Sequence, residues 1–441
     1  MKSFVRKHLC VPGLLSRVRS QYEKVTDKFK RGSGLSLTDC LMSGLALFGL
    51  KYPSLLKFDA DARTNERVQH NLKSLYQIER VPSDTYLRER LDPIAPYELQ
   101  RGIDRIIAQL QRGKVLECYR YIDDSLLVAI DGTGCFSSHK IHCENCCVKH
   151  HRDGSQTYYH QMLAAVVVHP EHKTVFPLML EPIHKQDGAK KNDCEHTALK
   201  RLLENLRRAH PHLKLVVTLD GLYADGVILN LLKELDIRFI ITAHEKDLKY
   251  LYEFYNATQK NTQTITQSHR TISLSFANGL PLNDTHHQRQ VNLLCAEETI
   301  VQKRKTKQQK FAWITDMLLS PSNVQTIMKG GRSRWRIENE TFNTLKNQGY
   351  QFEHNFGHGY ENLNVVMAYL MFTAFLIDQV QEFSCKHFKA ALKKAKRLKY
   401  LWERIKNYFL ICTIDSWEQL YTAIQNDVGI PLATLLAPNT S

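Results

Sequence analysis

Three acidic residues stand out by type and by what precedes them. Asp131 follows the apolar run Leu126 to Ile130, Asp220 follows the run Leu213 to Leu219, and Glu338 lies in the segment Arg334-Trp-Arg-Ile-Glu-Asn-Glu-Thr-Phe-Asn-Thr-Leu-Lys346. An ionised carboxylate emerging from a buried apolar strand is costly unless something compensates it. A divalent cation would do so. Phosphodiester cleavage by the two-metal route requires several acidic groups converging on two divalent ions. Hard Mg²⁺, or Mn²⁺ in its place, takes carboxylate oxygens as ligands. Gly132 and Gly221 follow the two aspartates and leave room for the chain to turn. Taken singly, each Asp-Gly pair also reads as the start of an ordinary turn.

The third acid is the most informative. At about 100° per residue, Trp335, Phe342 and Leu345 fall within roughly 60° of Glu338, whereas Glu340 lies about 200° away. Glu338 therefore belongs to the stripe that must face the fold, and Glu340 faces outward. A carboxylate in an apolar stripe demands a partner. Arg334 and Lys346 fall within about 80° of the same face, where cations could hold phosphates beside a metal. The simpler reading is an i, i+4 pair of Arg334 with Glu338, worth a few tenths of a kcal/mol.

The elements that must position these residues follow from periodicity. Residues 1–120 read as helical: Thr38 caps a helix through Leu41, Leu45 and Phe48, another opens at Ser83 or Asp84, and a third carries Leu99, Ile103, Ile106, Ile107 and Leu110. From Tyr121 the pattern changes. Strands are expected at Leu126–Ile130, Tyr158–His169 and Val175–Leu180, then a helix at Cys194–Ala209, a strand at Leu213–Leu219, a helix at Val227–Leu235 and a strand at Ile237–Thr242. That is the order of an RNase H-like mixed α/β sheet with flanking helices, although other α/β folds share the alternation. Residues 251–310 read as a β-rich insertion before the third acid, with strands at Thr271–Phe276 and Gln290–Cys295. The fold then resumes through a strand at Phe311–Thr315 and helices at 322–329, 334–347 and 361–381. The expected division is a helical N-terminal region (1–120) assigned to DNA-end binding, a catalytic core (121–250 and 311–380), the insertion (251–310) and a basic helical C-terminal region (381–441).

Charge points to the partner. The chain carries a formal net charge of +15 and a pI of about 9.2. Such a surplus favours a polyanion, because each Lys or Arg placed near a phosphate releases condensed counterions. No run approaches the roughly 20 apolar residues that span a bilayer; the best, Leu41–Leu50, is short and contains Gly44 and Gly49. The N-terminus is basic (Lys2, Arg6, Lys7) without a long apolar stretch. Eleven cysteines in a chain of this length suit thiols or metal ligands in a reducing compartment. A cytoplasmic protein with DNA and no membrane as its partner is expected.

The phrase Arg334-Trp335-Arg336-Ile337-Glu338 with Phe342 and Lys346 resembles the signature of DDE transposases of the insertion-sequence-four type, in which a Tyr, an Arg, the third catalytic Glu and a Lys share one helix. Asp131-Gly-Thr-Gly and Leu219-Asp220-Gly-Leu-Tyr223 match the strand-end aspartates of such enzymes. Ile141-His-Cys-Glu-Asn145, Lys185-Gln-Asp-Gly-Ala189 and Asn355-Phe-Gly-His-Gly359 resemble a bacterial insertion-sequence subgroup close to that type. Two positions depart from it: Gly331 stands where the signature has Tyr, and Lys346 lies one residue farther from Glu338. The resemblance implies metal-assisted cleavage at transposon ends followed by strand transfer into target DNA. It assigns Asp131, Asp220 and Glu338 as ligands of two Mg²⁺ or Mn²⁺ ions, and Arg334 and Lys346 as contacts to the end phosphates. Arg336 is counted with these DNA-binding residues. Trp335 stacks near a distorted or flipped base or packs in the core. A homodimer in the DNA complex is expected, since two ends must be held together. A nuclease of the same fold and a transposase-derived DNA-binding protein without catalysis are the alternatives.

A second set of side chains has the chemistry of a zinc site. Cys143-x-x-Cys146, with His142 just before it, supplies the right ligand types, and Cys135 or Cys194 could complete a set for structural Zn²⁺. A lone CxxC also fits a reduced loop. The run Lys303 to Lys310 and the basic helix at 389–399 either track a DNA backbone or form solvated faces, and His354 and His358 read as loop residues.

Overall fold

The computed structural model describes residues 9–29, 34–188, 191–286, 288–302 and 305–429. Lys303 and Arg304 of the basic run, Ala189 and the basic N-terminal residues fall outside that description. The chain divides into two compact units, one of Met1–Gly113 with Thr344–Ser441 and one of Lys114–Asn343.

The first unit is helical. Its N-terminal part contains α1 (Val11–Tyr22), α2 (Leu37–Gly49), α3 (Leu55–Thr64), α4 (Glu66–Tyr76), α5 (Asp84–Leu91) and α6 (Pro96–Arg112). Ser36 rather than Thr38 caps α2, its hydroxyl accepting the Asp39 N–H at 3.0 Å, and Ser83 caps α5 in the same way. The apolar stripe expected from Leu99 to Leu110 is the buried face of α6.

The second unit is built on an eleven-stranded sheet. Its strands are β1 (Arg120–Ile122), β2 (Ser125–Ser138), β3 (Cys147–His150), β4 (Gln156–His169), β5 (His172–Ile183), β6 (Leu215–Leu219), β7 (Arg238–Thr242), β8 (Asn261–Gln267), β9 (Arg270–Pro281), β10 (Gln290–Gln302) and β11 (Lys305–Thr315). The helices between them are α7 (Lys191–Ala209), α8 (Gly226–Glu234) and α9 (Lys249–Ala257), with α10 (Val324–Arg332) following β11. β5, β4 and β2 pair antiparallel, and β2 continues into β6 and β7 through parallel pairings. This is the mixed α/β arrangement that the alternation anticipates. Strand β2 is buried along Ser125–Ile130, as a strand with neighbours on both sides and cover on both faces must be.

Three features differ from the sequence expectation. The β-rich segment starts later than 251–310, at Asn261 after helix α9, runs on to Thr315 and does not stand apart: β11 pairs antiparallel with β7 through Trp313↔Thr242, Ile314↔Ile241 and Thr315↔Ile240. The open edge of β7 offers unpaired N–H and C=O groups, and β11 satisfies them while carrying β10, β9 and β8 as a meander. Residues 344–380, expected in the catalytic core, belong with the N-terminal helices. Their chief element, α11 (Leu363–Ser384), is buried at every position from Leu363 to Gln381 and packs on α2 and α6. Gly44 lies against α11, and an added Cβ there would sit 2.7 Å from Leu370 Cδ1, so that side chain would have to shift. With a mean hydropathy of 1.6, α11 is long and apolar enough to cross a membrane, but its apolar window is wholly buried in this unit. The basic stretch at 389–399 is two helices, α12 (Lys386–Ala395) and α13 (Leu398–Ile411), broken where Lys396 takes a φ of 67°; α14 (Trp417–Asn426) follows.

Candidate active site

Asp131 is not at a strand end. Strand β2 runs on through Gly132, Thr133 and Gly134 to Ser138, alternating in burial from Asp131 to Cys135. The apolar run stops at Ile130; beyond it Gly132 and Gly134 expose one face of the sheet, while Asp131 is half-buried on the face it shares with buried Thr133 and Cys135. Its Oδ1 accepts the Gly132 N–H at 2.8 Å. Asp220 does end its strand: β6 stops at Leu219, and a tight turn over Gly221–Tyr223 follows. Glycine is required at 221, since a Cβ there would come within 2.7 Å of the His244 ring and 3.3 Å of the Thr242 carbonyl.

Glu338 sits in a widened turn. Residues Ile337–Phe342 form a π-helix, with Ile337, Thr341 and Phe342 buried. The wider turn rotates the residues on either side relative to a uniform 100° helix. The buried stripe is therefore centred on Ile337, Thr341 and Phe342, with Glu338 half-buried at its margin. Trp335 is 54 % exposed rather than packed inside. One-turn π insertions are frequent at functional sites, and this one occurs where the third acid leaves the core.

Arg334 joins two of the acids. Its Nη1 lies 2.8 Å from Asp131 Oδ2 and 3.1 Å from Glu338 Oε1, which places those carboxylates within two hydrogen-bond lengths of each other. Burial pushes the Asp131 carboxyl up to about 6; Arg334 and the Gly132 N–H oppose this, and the charges of Glu338 and Asp220 reinforce it. Tyr223, under the Asp220 turn, is held protonated well above its usual range by burial and by nearby acids that include Asp131 and Asp220. Asp131 thus feels the charges of both Glu338 and Asp220.

Beside them is a cleft of about 830 Å³ whose wall includes Asp220, His244, Arg332, Arg334 and Trp335. Its far side is the sheet extension, with Lys310, Phe311 and Trp313 from β11 and Glu297 from β10, and Lys260 from the segment before β8. Arg332 donates to Glu298 at 2.7 Å and lies 4.5 Å from the Phe311 ring centre. At Gly331, where the family signature has Tyr, an added Cβ would meet the Trp313 indole at 2.5 Å. An aromatic ring therefore occupies the place from another strand. Trp313, Phe311 and Lys260 are cleft residues that residue types alone do not single out; the i, i+2 aromatic pair Phe311 and Trp313 on one strand face is the available signal.

The remaining DNA-binding candidates are placed differently. Arg336 donates to the Pro170 carbonyl at 2.6 Å and lies 3.5 Å from Glu340, so the β4–β5 turn and its own helix occupy it. Lys346 belongs to the helical unit, where it pairs with Glu353 at 2.9 Å. Of the zinc candidates, Cys143 and Cys146 come together, but His142 stacks on Tyr158 with ring centres 4.3 Å apart. His160 of β4 is the histidine that meets the two sulfurs. Cys135 turns its thiol to the His160 carbonyl instead.

The three acids fit divalent metal as a donor set. All are hard oxygen donors, Asp220 lines the cleft beside Arg334, and burial, reinforced by the charges of Glu338 and Asp220, raises Asp131 despite Arg334. A single guanidinium leaves negative charge uncompensated. A search of curated proteins returns no match. A family model described as the transposase DDE domain matches residues 125–377. That span includes Asp131, Asp220 and Glu338 and covers more than half of the sequence, so the chain belongs to the transposase DDE domain family.

Proposed function

We propose that this protein is a DNA transposase that cuts at the ends of its mobile element and joins them to target DNA, with Asp131, Asp220 and Glu338 as its metal-binding acids. The observation that carries the reading is the Arg334 bridge between Asp131 and Glu338, at 2.8 and 3.1 Å, with Asp220 on the wall of the same cleft. Two Mg²⁺ or Mn²⁺ ions bound by these carboxylates would supply activation of an attacking oxygen and stabilisation of a leaving oxygen.

The chain's own groups do the rest. The Asp131 carboxyl, raised to about 6, is ionised near neutral pH and available as a ligand. Gly221 lets the Asp220 turn sit against His244, which fixes where the Asp220 backbone leaves β6. Arg334 has a planar fork that suits phosphate as well as carboxylate, so DNA entering the cleft can take over part of its bonding. Trp335 offers an exposed indole face 5.9 Å from the Arg334 guanidinium, a surface on which a base can stack. Lys260 and Lys310 line the opposite wall and supply cations to a backbone running through it. The helical unit is the candidate for end recognition, and holding two ends together calls for a homodimer in the DNA complex. The reading places the protein in the cytoplasm, with DNA as its partner.

The test is a cleavage and strand-transfer assay on labelled DNA carrying the sequences that flank the gene, with Mg²⁺, beside Asp220→Ala. Nicked and joined products with wild type and none with the variant are expected. Equal products from both would refute the assignment, and nicking without joining would assign the chain as a nuclease instead.

A further inference from the structure

We propose that Cys143, Cys146 and His160 form a structural zinc site that staples the connection between β2 and β4. The three side chains come from a tight turn and a strand. Cys146 N–H donates to the Cys143 carbonyl at 3.2 Å, closing the turn, and Cys143 N–H points at Cys146 Sγ at 3.4 Å. His160 lies on β4, buried, opposite Phe136 of β2.

The spacing matches a tetrahedral ion. With Zn–S bonds of about 2.3 Å and a Zn–N bond of about 2.05 Å, tetrahedral angles place two sulfurs about 3.8 Å apart and sulfur about 3.6 Å from nitrogen. The Sγ atoms of Cys143 and Cys146 are 3.8 Å apart, and His160 Nε2 is 3.4 and 3.3 Å from them. A disulfide would need the sulfurs at about 2.05 Å. The two thiols and the ring nitrogen are therefore arranged around a common centre rather than bonded to one another. Soft thiolates with imidazole select zinc over Mg²⁺, so this site and the carboxylate site sort the two metals by ligand chemistry. Metal binding takes both sulfurs as thiolates, with the thiol protons released to solvent.

Two other histidines of this connection are engaged elsewhere. His139 bonds the Gln156 carbonyl at 3.1 Å and His151 bonds Thr157 Oγ1 at 2.7 Å. Among the described histidines of this unit, His160 is the one that reaches both sulfurs, and it does so across the hairpin. The ion would cross-link the 139–155 connection to the β2–β4 ladder at the end of the strand that bears Asp131. Its role is to hold that connection in place, and it takes no part in phosphodiester chemistry.

The test measures metal content of the full-length protein by elemental analysis after purification without chelator, for wild type, Cys146→Ser and Asp220→Asn. About one zinc per chain is expected in wild type and Asp220→Asn, with a fall of about tenfold in Cys146→Ser. Adding Co²⁺ to chelator-stripped wild type gives a second readout that needs no variant: a near-ultraviolet sulfur-to-cobalt charge-transfer band supports the site. Wild type with neither zinc nor that band overturns it. So does zinc that is lost in Asp220→Asn and kept in Cys146→Ser, since the ion would then belong to the carboxylates.

Discussion

Each unit buries acidic charge, and the two do so in opposite ways. In the helical unit, Asp378 of α11 is matched by Lys51 at 2.7 Å and by the Tyr350 hydroxyl at 2.5 Å. Lys51 is used up completely: it also donates to the Phe48 and Gly49 carbonyls and lies over the Tyr350 and Trp402 rings at 3.9 and 4.1 Å. Burial pulls the Lys51 ammonium down and pushes the Asp378 carboxyl up, and the pairing opposes both shifts. In the sheet unit, a single guanidinium serves Asp131 and Glu338, Asp220 adds a third negative charge, and Arg334 and Asp220 line an open cleft. A closed, balanced pair ties segments of chain together. An open, unbalanced one is poised to take up a cation.

Substitutions should separate the two kinds of site. The largest effect is expected on activity: Asp220→Ala should cut strand cleavage by at least about a thousandfold, the scale seen when one member of a cooperating set is removed, while the melting temperature without metal stays the same or rises. Next in size is stability at the closed pair. Lys51→Met leaves Asp378 buried without its cation and should cost about 3–5 kcal/mol in denaturant unfolding. Restoring apolar balance with Lys51→Met plus Asp378→Leu should recover most of that loss; a double variant no better than the single would show that the charges do more than neutralise each other.

A smaller effect is expected from pH at the open site. In the metal-free protein the Asp131 carboxyl holds its proton up to about 6, against an ordinary 3.8. The folded form therefore binds more protons than the unfolded one between these values. The stability of wild type in chelator should fall by roughly 2 kcal/mol as pH rises from about 4 to about 6, and this slope should shrink in Asp131→Asn. An unchanged slope would place the titration elsewhere. Smallest is Trp335→Ala: with 54 % of the residue exposed, folding should be untouched, while DNA affinity should drop by about 1–3 kcal/mol if a base stacks there.

Much of this was legible in the chain. The apolar runs before Asp131 and Asp220 locate β2 and β6, because strands buried on both faces read as continuous hydrophobic stretches. Helix periodicity located α6 and α7 to within a few residues. What escaped was non-local. That α11 belongs with α2 and α6 depends on packing partners several hundred positions earlier, and its complete burial only looks like a core helix once those partners are known. The phase argument put Glu338 inward and Glu340 outward, yet their side chains are about equally exposed (38 % and 33 %) and Trp335 faces solvent, because a π-turn does not announce itself in residue types. His142 was favoured over His160 for closeness in sequence; the hairpin brings the distant one to the sulfurs instead.

The sharpest single measurement is Mn²⁺ binding by electron paramagnetic resonance to the protein on element-end DNA, comparing wild type with Asp220→Ala. The account predicts about two tightly held ions per wild-type chain, as two-metal chemistry requires, and loss of that signal in the variant. Equal Mn²⁺ uptake by both proteins would contradict it, because the acid on β6 would then have no share in holding metal.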